Sequence, residues 1–385
     1  MNNQPFSISS RLPDITTNIF TVMSSLAVQH HAVNLGQGFP DYPMSTELME
    51  LVNKAMKQGF NQYAHTYGYL PLRERVSEKC ELAYGINLHP DKEITVTPGG
   101  TYAIYTAITS VIHPGDEVII LEPAYDSYIP NIELNGGKVV GVPLKLPDYR
   151  IDFELLENAI NDRTRLMVLN SPHNPTGAVF SSEDMKKLEL LLEGKDIFIV
   201  SDEVYEHVVF DVPHQSVLAY PGLYERSFAC FSFGKTFNCT GWKTGYCIAP
   251  EYLMKEFRKV HQFNVFSCFA PVQAALAEFL KTPDNYLSLS GILHKKQKFF
   301  EQGMQETAFK PVPTHGSYFQ IFDYSSISEE GDLEFAKRLV KEYGVAAIPV
   351  SAFYRDKTDH RQLRFCFAKK EETLERALEK LIRVG

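Results

Sequence analysis

Three β-rich runs of this chain finish in residues able to do chemistry. The run ending at Asn170 leads into Ser171-Pro-His-Asn174-Pro-Thr-Gly177, the next ends Ser201-Asp202-Glu-Val-Tyr205, and a third ends Ser232-Phe-Gly-Lys235-Thr236. An aspartate offers a fixed negative charge, and asparagine and tyrosine offer hydrogen bonds. A lysine offers an amine that can attack or carry protons once burial or neighbours lower its pKa. In open α/β sheets, ligands gather outside the carboxyl ends of the strands. Each residue taken singly also reads as turn chemistry or a solvated strand end. Charges near a core need partners, however, so four such groups converging at one edge point to a site.

A second feature is Thr97-Pro-Gly99-Gly100-Thr101, after a β-rich run and before the helical pattern from Tyr102 to Ile108. Glycines at a strand-to-helix turn let backbone N–H groups approach an anion at the positive end of the helix, although a Gly-Gly turn is often only a turn. Ser232 and Lys243, on either side of Lys235, supply a hydroxyl and a cation for the same anion. Competing motifs fail. Gly234-Lys235-Thr236 imitates the end of a phosphate-binding P-loop, but Ala229 holds the first glycine position and Cys230 to Phe233 is strand-like. Gly36-Gln-Gly38 imitates a dinucleotide fingerprint, but Asp41 stands where the third glycine belongs and Pro40 removes an N–H. The 12 histidines show no metal-ligand spacing, and no metal is expected.

The elements that must position these residues alternate. Between about residues 95 and 250, runs at Glu117–Leu121, Leu166–Asn170, Ile197–Ser201, Ser227–Ser232 and Gly245–Ala249 are separated by helical patterns, which predicts an α/β fold with a mostly parallel sheet. The stretch from Ser182 to Leu192 repeats leucine at helical spacing and stops at Gly194, as a crossover helix would. Further runs at Ser317–Phe322, Val345–Pro349 and Leu363–Phe367 predict a smaller α+β domain. The division expected is an arm over 1–42, with a helix from about Asp14 to His31, then a large domain over 43–285 and a small one over 286–385. At 385 residues and 44% hydrophobic content the chain can bury more than one core. A formal charge of -9 opposes binding to nucleic acid or anionic membranes. No apolar run nears the roughly 20 residues of a membrane helix, and the start lacks a signal-peptide pattern, so a cytoplasmic protein is expected. Six cysteines without Cys-x-x-Cys spacing predict core thiols, not a disulfide framework.

Taken in order, Asn174-Pro-Thr-Gly177, Asp202-Glu-Val-Tyr205 and Ser232-Phe-Gly-Lys235 through Gly241-Trp-Lys243-Thr-Gly-Tyr246 resemble the pyridoxal-phosphate-dependent class I/II aminotransferases of fold type I. The resemblance extends to Asn34-Leu-Gly-Gln-Gly-Phe-Pro-Asp41 and Leu363-Arg-Phe-Cys-Phe-Ala368, and so runs nearly end to end. Within that family the chain is most similar to the methionine and kynurenine aminotransferases, which share the Gln-Gly-Phe-Pro-Asp segment and the pattern at Glu122 to Asp126.

The resemblance implies pyridoxal 5'-phosphate as cofactor and gives the matched residues roles. Lys235 would bond to its aldehyde and later shuttle a proton. Asp202 would keep the pyridine nitrogen protonated, Tyr205 and Asn174 would hydrogen-bond the phenolic oxygen, and Tyr125 would stack on the ring. The phosphate would take Gly100, Thr101, Ser232, Lys243 and, across a homodimer interface, Tyr63. Lys243 departs from the arginine that many relatives carry, giving charge without a planar fork. Arg364, with the Gly36 backbone and Asn174, would hold the substrate carboxylate. Phe20, Phe39 and Tyr102 are placed by position near an apolar side-chain pocket. No motif demands a second arginine for a dicarboxylic side chain. The function implied is transfer of an amino group from methionine, an aromatic amino acid or glutamine to a 2-oxo acid. A cysteine-conjugate carbon–sulfur β-lyase on the same scaffold needs the same residues and stays open. A cofactor-binding DNA regulator is disfavoured by the charge and by the short segment ahead of the core.

Overall fold

The strands expected in the middle of the chain join an unexpected edge strand, Lys138–Pro143, in one seven-stranded sheet. In the computed structural model, which describes residues 8–385, they are β2 (Ile94–Thr97), β3 (Glu117–Glu122), β4 (Lys138–Pro143), β5 (Thr164–Asn170), β6 (Phe198–Asp202), β7 (Ser227–Ser232) and β8 (Gly245–Ile248), while β1 is the short Val33–Asn34. The order across the sheet is β2-β8-β7-β6-β5-β3-β4, and β8 alone runs against its neighbours. Side chains alternate with the period of two that a pleated strand imposes. Ile119, Leu121, Met167, Leu169 and Phe231 enter one core, whereas Val118, Ile120, Leu166, Val168 and Cys230 enter the other, under the helices Gly100–Val111 and Glu251–Asn264. Both faces are buried, which explains why these strands read as continuous apolar runs.

β4 was not evident in the sequence because it is a half-exposed edge strand. Its Gly141 has a physical reason: a Cβ there would stand 2.2 Å from the Glu122 carboxylate. The helix Ser182–Leu192 has the bounds its leucine spacing predicts, fixed by a capping box between Ser181 and Asp184. The first helix runs Ile19–Gln29 and starts later than expected, because the Asn18 side chain accepts from Phe20 N–H at 2.7 Å and sets the boundary there.

A second, antiparallel sheet has the order β12-β13-β10-β9, formed by β9 (Lys310–Pro311), β10 (Phe319–Asp323), β12 (Ile348–Pro349) and β13 (Gln362–Cys366). The run expected as one strand over 345–349 divides: β11 (Val345–Ala346) pairs in parallel with β1, and beyond Ala347 the chain changes partner to β13. Met23, Ala27 and Leu35 share a core with Phe319, Ile348, Phe365 and Leu374. The six cysteines are free thiols, five of them buried. Among the described residues, no helix is long and apolar enough to cross a membrane.

Candidate active site

The carboxyl ends of β5, β6 and β7 open into a cleft of about 260 Å³ that reaches the second sheet at Phe319 and Arg364. Asp202, the last residue of β6, is buried, and its Oδ2 accepts from the Tyr128 hydroxyl at 2.6 Å. Burial pushes its carboxyl up to about 6, against the hydrogen bonds from Tyr128 and the Val204 N–H and the charge of Lys235. Asn170 joins the neighbouring strand ends: its Nδ2 donates to the Asp202 carbonyl at 2.8 Å and its Oδ1 accepts from the Asn174 N–H at 2.8 Å. Asn174 is thereby held over the cleft, where its Oδ1 accepts from Arg364 Nη1 at 2.7 Å.

Lys235 sits in the four-residue helix Phe233–Thr236 just beyond β7, with its amine donating to the Gly38 carbonyl at 3.0 Å. Burial pulls this amine down to about 8; Arg364 and Lys243 push the same way, while Cys366 and Asp202 oppose them. Tyr205 is buried, and its ring lies 5.5 Å from the Lys235 amine. Tyr125 lines the same cleft, and burial pushes its hydroxyl up to about 12 against a hydrogen bond with Thr101.

Facing them is a polar cradle. The helix Gly100–Val111 makes its first bond from the Ala103 N–H to the Gly99 carbonyl, leaving the amides of Gly100 and Thr101 at its positive end. Gly99 has φ +85°, and a Cβ on it would stand 3.6 Å from Lys243 Nζ. Ser232 and Lys243 line the same wall. With Lys235, Lys243 and Arg364 against Asp202, the cleft is built for an anionic ligand.

Arg364, on β13, is 1% exposed. Its Nη2 donates to the Gly36 carbonyl at 2.9 Å, and the Phe319 ring centroid lies 3.8 Å from the guanidinium carbon. Its Nε has no partner, and no carboxylate among the described residues lies within 4.0 Å of it. A buried cation without an anion from the protein itself is costly, and a carboxylate beside it would offset that cost.

A family model for aminotransferase class I and II matches residues 30–381. The chain belongs to that family. It is 46% identical to the methionine aminotransferase of Escherichia coli over 99% of each chain, and 36% identical to human kynurenine–oxoglutarate transaminase 1 over 96% of each. A solved Escherichia coli structure described as having a methionine aminotransferase function superposes with a TM-score of 0.97 at 45% identity, covering 98% of this chain and 100% of that one. The α/β architecture of this aminotransferase is therefore fold type I, and its cofactor is pyridoxal 5'-phosphate.

The residues of this aminotransferase fit that cofactor. Asp202 is a buried carboxyl whose charge a protonated ring nitrogen would compensate. The helix-end amides, Ser232 and Lys243 suit a phosphate, and the lowered amine of Lys235 suits an aldehyde.

Of the residues named from sequence, Gly100, Thr101, Tyr125, Asn174, Asp202, Tyr205, Ser232, Lys235, Lys243 and Arg364 line one cleft of this aminotransferase, as does Phe20. Gly36 touches it through Arg364, its N–H being given to Asn34 Oδ1 at 2.9 Å. Tyr63, Phe39 and Tyr102 do not line it: Tyr63 is 81% exposed against Phe266, the Phe39 ring faces Lys369, and Tyr102 meets His261. Tyr128, Asn170, Gly38 and Phe319 were not singled out as site residues. Asn170, at the end of a predicted strand, had the one usable signal.

Proposed function

We propose that this aminotransferase moves the amino group of a neutral or aromatic L-amino acid, methionine foremost, to a 2-oxo acid. The observation that carries the reading is Arg364, a buried guanidinium clasped by Asn174 and Gly36 and lacking an anion. It suits the α-carboxylate common to all amino acids. It is also the one arginine among the described residues lining the cleft, where Phe20, Tyr125 and Phe319 supply aromatic surface. A dicarboxylic side chain would meet no second fork there. The methionine and kynurenine aminotransferases named above agree with a neutral or aromatic donor.

When bound, the cofactor supplies an electron sink for the substrate α-carbon and carries the amino group between the two half-reactions. Asp202 would hold the ring nitrogen, Asn174 and Tyr205 the phenolic oxygen, and Tyr125 one ring face. Gly100, Thr101, Ser232 and Lys243 would hold the phosphate. Arg364 binds and orients the amino acid, while the Lys235 amine, its pKa lowered to about 8, takes the proton from the substrate α-carbon and would deliver it to the carbon that was the cofactor's aldehyde. The surrounding aromatic rings exclude water from that transfer.

The same reading has the parts 1–42, 43–285 and 286–385 acting as arm, large domain and small domain of a cytoplasmic homodimer. Tyr63 of the partner subunit would complete each phosphate site. Exposed Tyr63, Phe263, Phe266 and Phe269 provide an aromatic surface for that second copy.

A half-reaction screen tests the substrate class by following conversion of the bound cofactor to its amine form with single amino acids. Methionine, aromatic amino acids and glutamine should convert it fastest; fastest conversion by aspartate would overturn the reading. Release of pyruvate and ammonia from cysteine conjugates in excess of amine transfer would mark a β-lyase instead.

A further inference from the structure

One corner of the second sheet touches both functional cations. Ser317, buried just before β10, takes a left-handed φ of 64°, and the next two residues diverge from it. The Tyr318 hydroxyl donates to the backbone carbonyl of Lys235, and the Phe319 ring stacks on Arg364 at 3.8 Å. Both rings also pack edge-on against Tyr205, at 5.1 and 6.0 Å. The helix carrying Lys235 ends one residue later, at Thr236, so a long helix is not there to satisfy that carbonyl. A carbonyl turned toward packed side chains needs a donor, and the buried Tyr318 supplies one from just ahead of β10 in the other sheet. Burial raises the Tyr318 phenol well above its ordinary value, which keeps it a donor at working pH.

We propose that Tyr318 is a positioning residue for the reaction, its hydroxyl fixing the Lys235 carbonyl and so aiming the Lys235 amine from the same corner that braces Arg364. The inference rests on the assignment of Lys235 above. Three consecutive residues then hold the proton carrier and the carboxylate binder at one separation. The amine faces the Gly38 carbonyl, the rings of Tyr205 and Tyr318, and the titratable or charged groups Cys366, Arg364, Asp202 and Lys243.

Tyr318→Phe keeps the ring and deletes the donor. Tyr324→Phe is the control: Tyr324 is equally buried, directly follows the same strand, and gives its hydroxyl to the Glu330 carbonyl at 2.8 Å outside the cleft. In the apoprotein, acetic anhydride labelling of the Lys235 peptide across pH, read by mass spectrometry, gives the titration midpoint of the amine. Tyr318→Phe should raise it by about one pH unit toward an ordinary lysine as the segment loosens. In the holoenzyme, exchange of the substrate α-proton should fall about tenfold with KM unchanged. Tyr324→Phe should do neither, and 4-aminophenylalanine at position 318, which restores a donor, should return both. An unmoved midpoint in Tyr318→Phe, equal effects in the control, or a change in KM alone overturns the proposal. Borohydride reduction of the wild-type holoenzyme separates the two failures: cofactor fixed anywhere but Lys235 overturns the site assignment itself.

Discussion

Arg364 and Asn174 meet at 2.7 Å although 190 residues separate them, and their hydrogen bond joins the two sheets across the cleft. Nη1 is thus given to Asn174 and Nη2 to the Gly36 carbonyl, while Nε stays unpaired. The arginine is fixed in place before any substrate arrives, and a carboxylate adds the missing anion.

Arg364→Lys keeps the charge and loses the fork, so KM should rise for all amino acids together, roughly tenfold or more, whatever their side chains. Steady-state kinetics over methionine, phenylalanine and glutamine check this. A loss confined to one of them would place Arg364 in the side-chain pocket.

Lys235→Ala should leave the cofactor held only by noncovalent contacts. Loss of the proton carrier should slow turnover by roughly 10²- to 10⁴-fold. Borohydride reduction followed by peptide mapping should find cofactor on Lys235 in the parent and on no lysine in the variant.

Asp202 gives a pH prediction. Its folded pKa, raised to about 6 from 3.8, means that stability present below the unfolded value is lost as pH rises through 6, because burial of the ionised carboxylate outweighs its hydrogen bonds and the charge of Lys235. The apoprotein should therefore lose stability between about pH 4 and pH 7 through this group, and Asp202→Asn should lose less; thermal melts of both apoproteins at the two pH values measure it. In the loaded enzyme the same variant should slow substrate α-proton exchange more than it slows amine exchange.

How far the site was legible depends on which atoms make it. Asp202, Lys235 and Asn174 stand at the ends of strands whose apolar runs are plain, so their convergence at one sheet edge followed from the topology rule. The Gly38 carbonyl that receives Lys235 is a backbone atom with no residue signature, and Tyr128 opens the helix Tyr128–Leu134 and reaches Asp202 only through tertiary packing. Phe39 and Tyr102 were placed by position alone. Sequence position does not fix the direction of a side chain, and these two turn toward Lys369 and His261.

Glu206, next to Tyr205 in sequence, forms a buried ion pair with Lys79 at 2.5 Å, which Tyr84 and Tyr246 also engage at 2.5 and 3.0 Å. Burial alone would raise the Glu206 carboxyl, but Lys79, His207 and the hydrogen bonds outweigh it and hold it at about 2. Its stability contribution is present above about 4.5 and lost as pH falls toward 2. His207, pulled down to about 3 by burial, is held neutral and adds a loss that begins below 6.5. Lys79→Met should cost about 3–5 kcal/mol by stranding the carboxylate. Glu206→Gln should flatten the acid limb below about pH 4.5. Urea titrations across pH test both, and an unchanged acid limb in Glu206→Gln would count against the network.

The last prediction concerns assembly. Tyr63 is 81% exposed, packs edge-on against Phe266 with 5.1 Å between ring centroids, and lies outside its own cleft. A large aromatic side chain held in solvent by another gains little from staying there, and Phe263 and Phe269, close to Phe266 in sequence, are exposed as well. If a second copy covers this surface about a two-fold axis, each Tyr63 reaches the other chain's phosphate cradle, and two symmetric sites depend on both chains. Lys235→Ala inactivates the site of its own chain, whereas Tyr63→Ala damages the partner's. In a mixed dimer both defects fall in one site and the other is intact. Mixing the two weakly active variants after dissociation should restore activity toward half that of the parent in each mixed dimer, and sedimentation should show the parent as a dimer at assay concentration. Cofactor affinity should fall in Tyr63→Phe, which loses only the hydroxyl. A fully active monomer, or mixing that restores nothing once exchange of subunits has been verified, would refute the shared site.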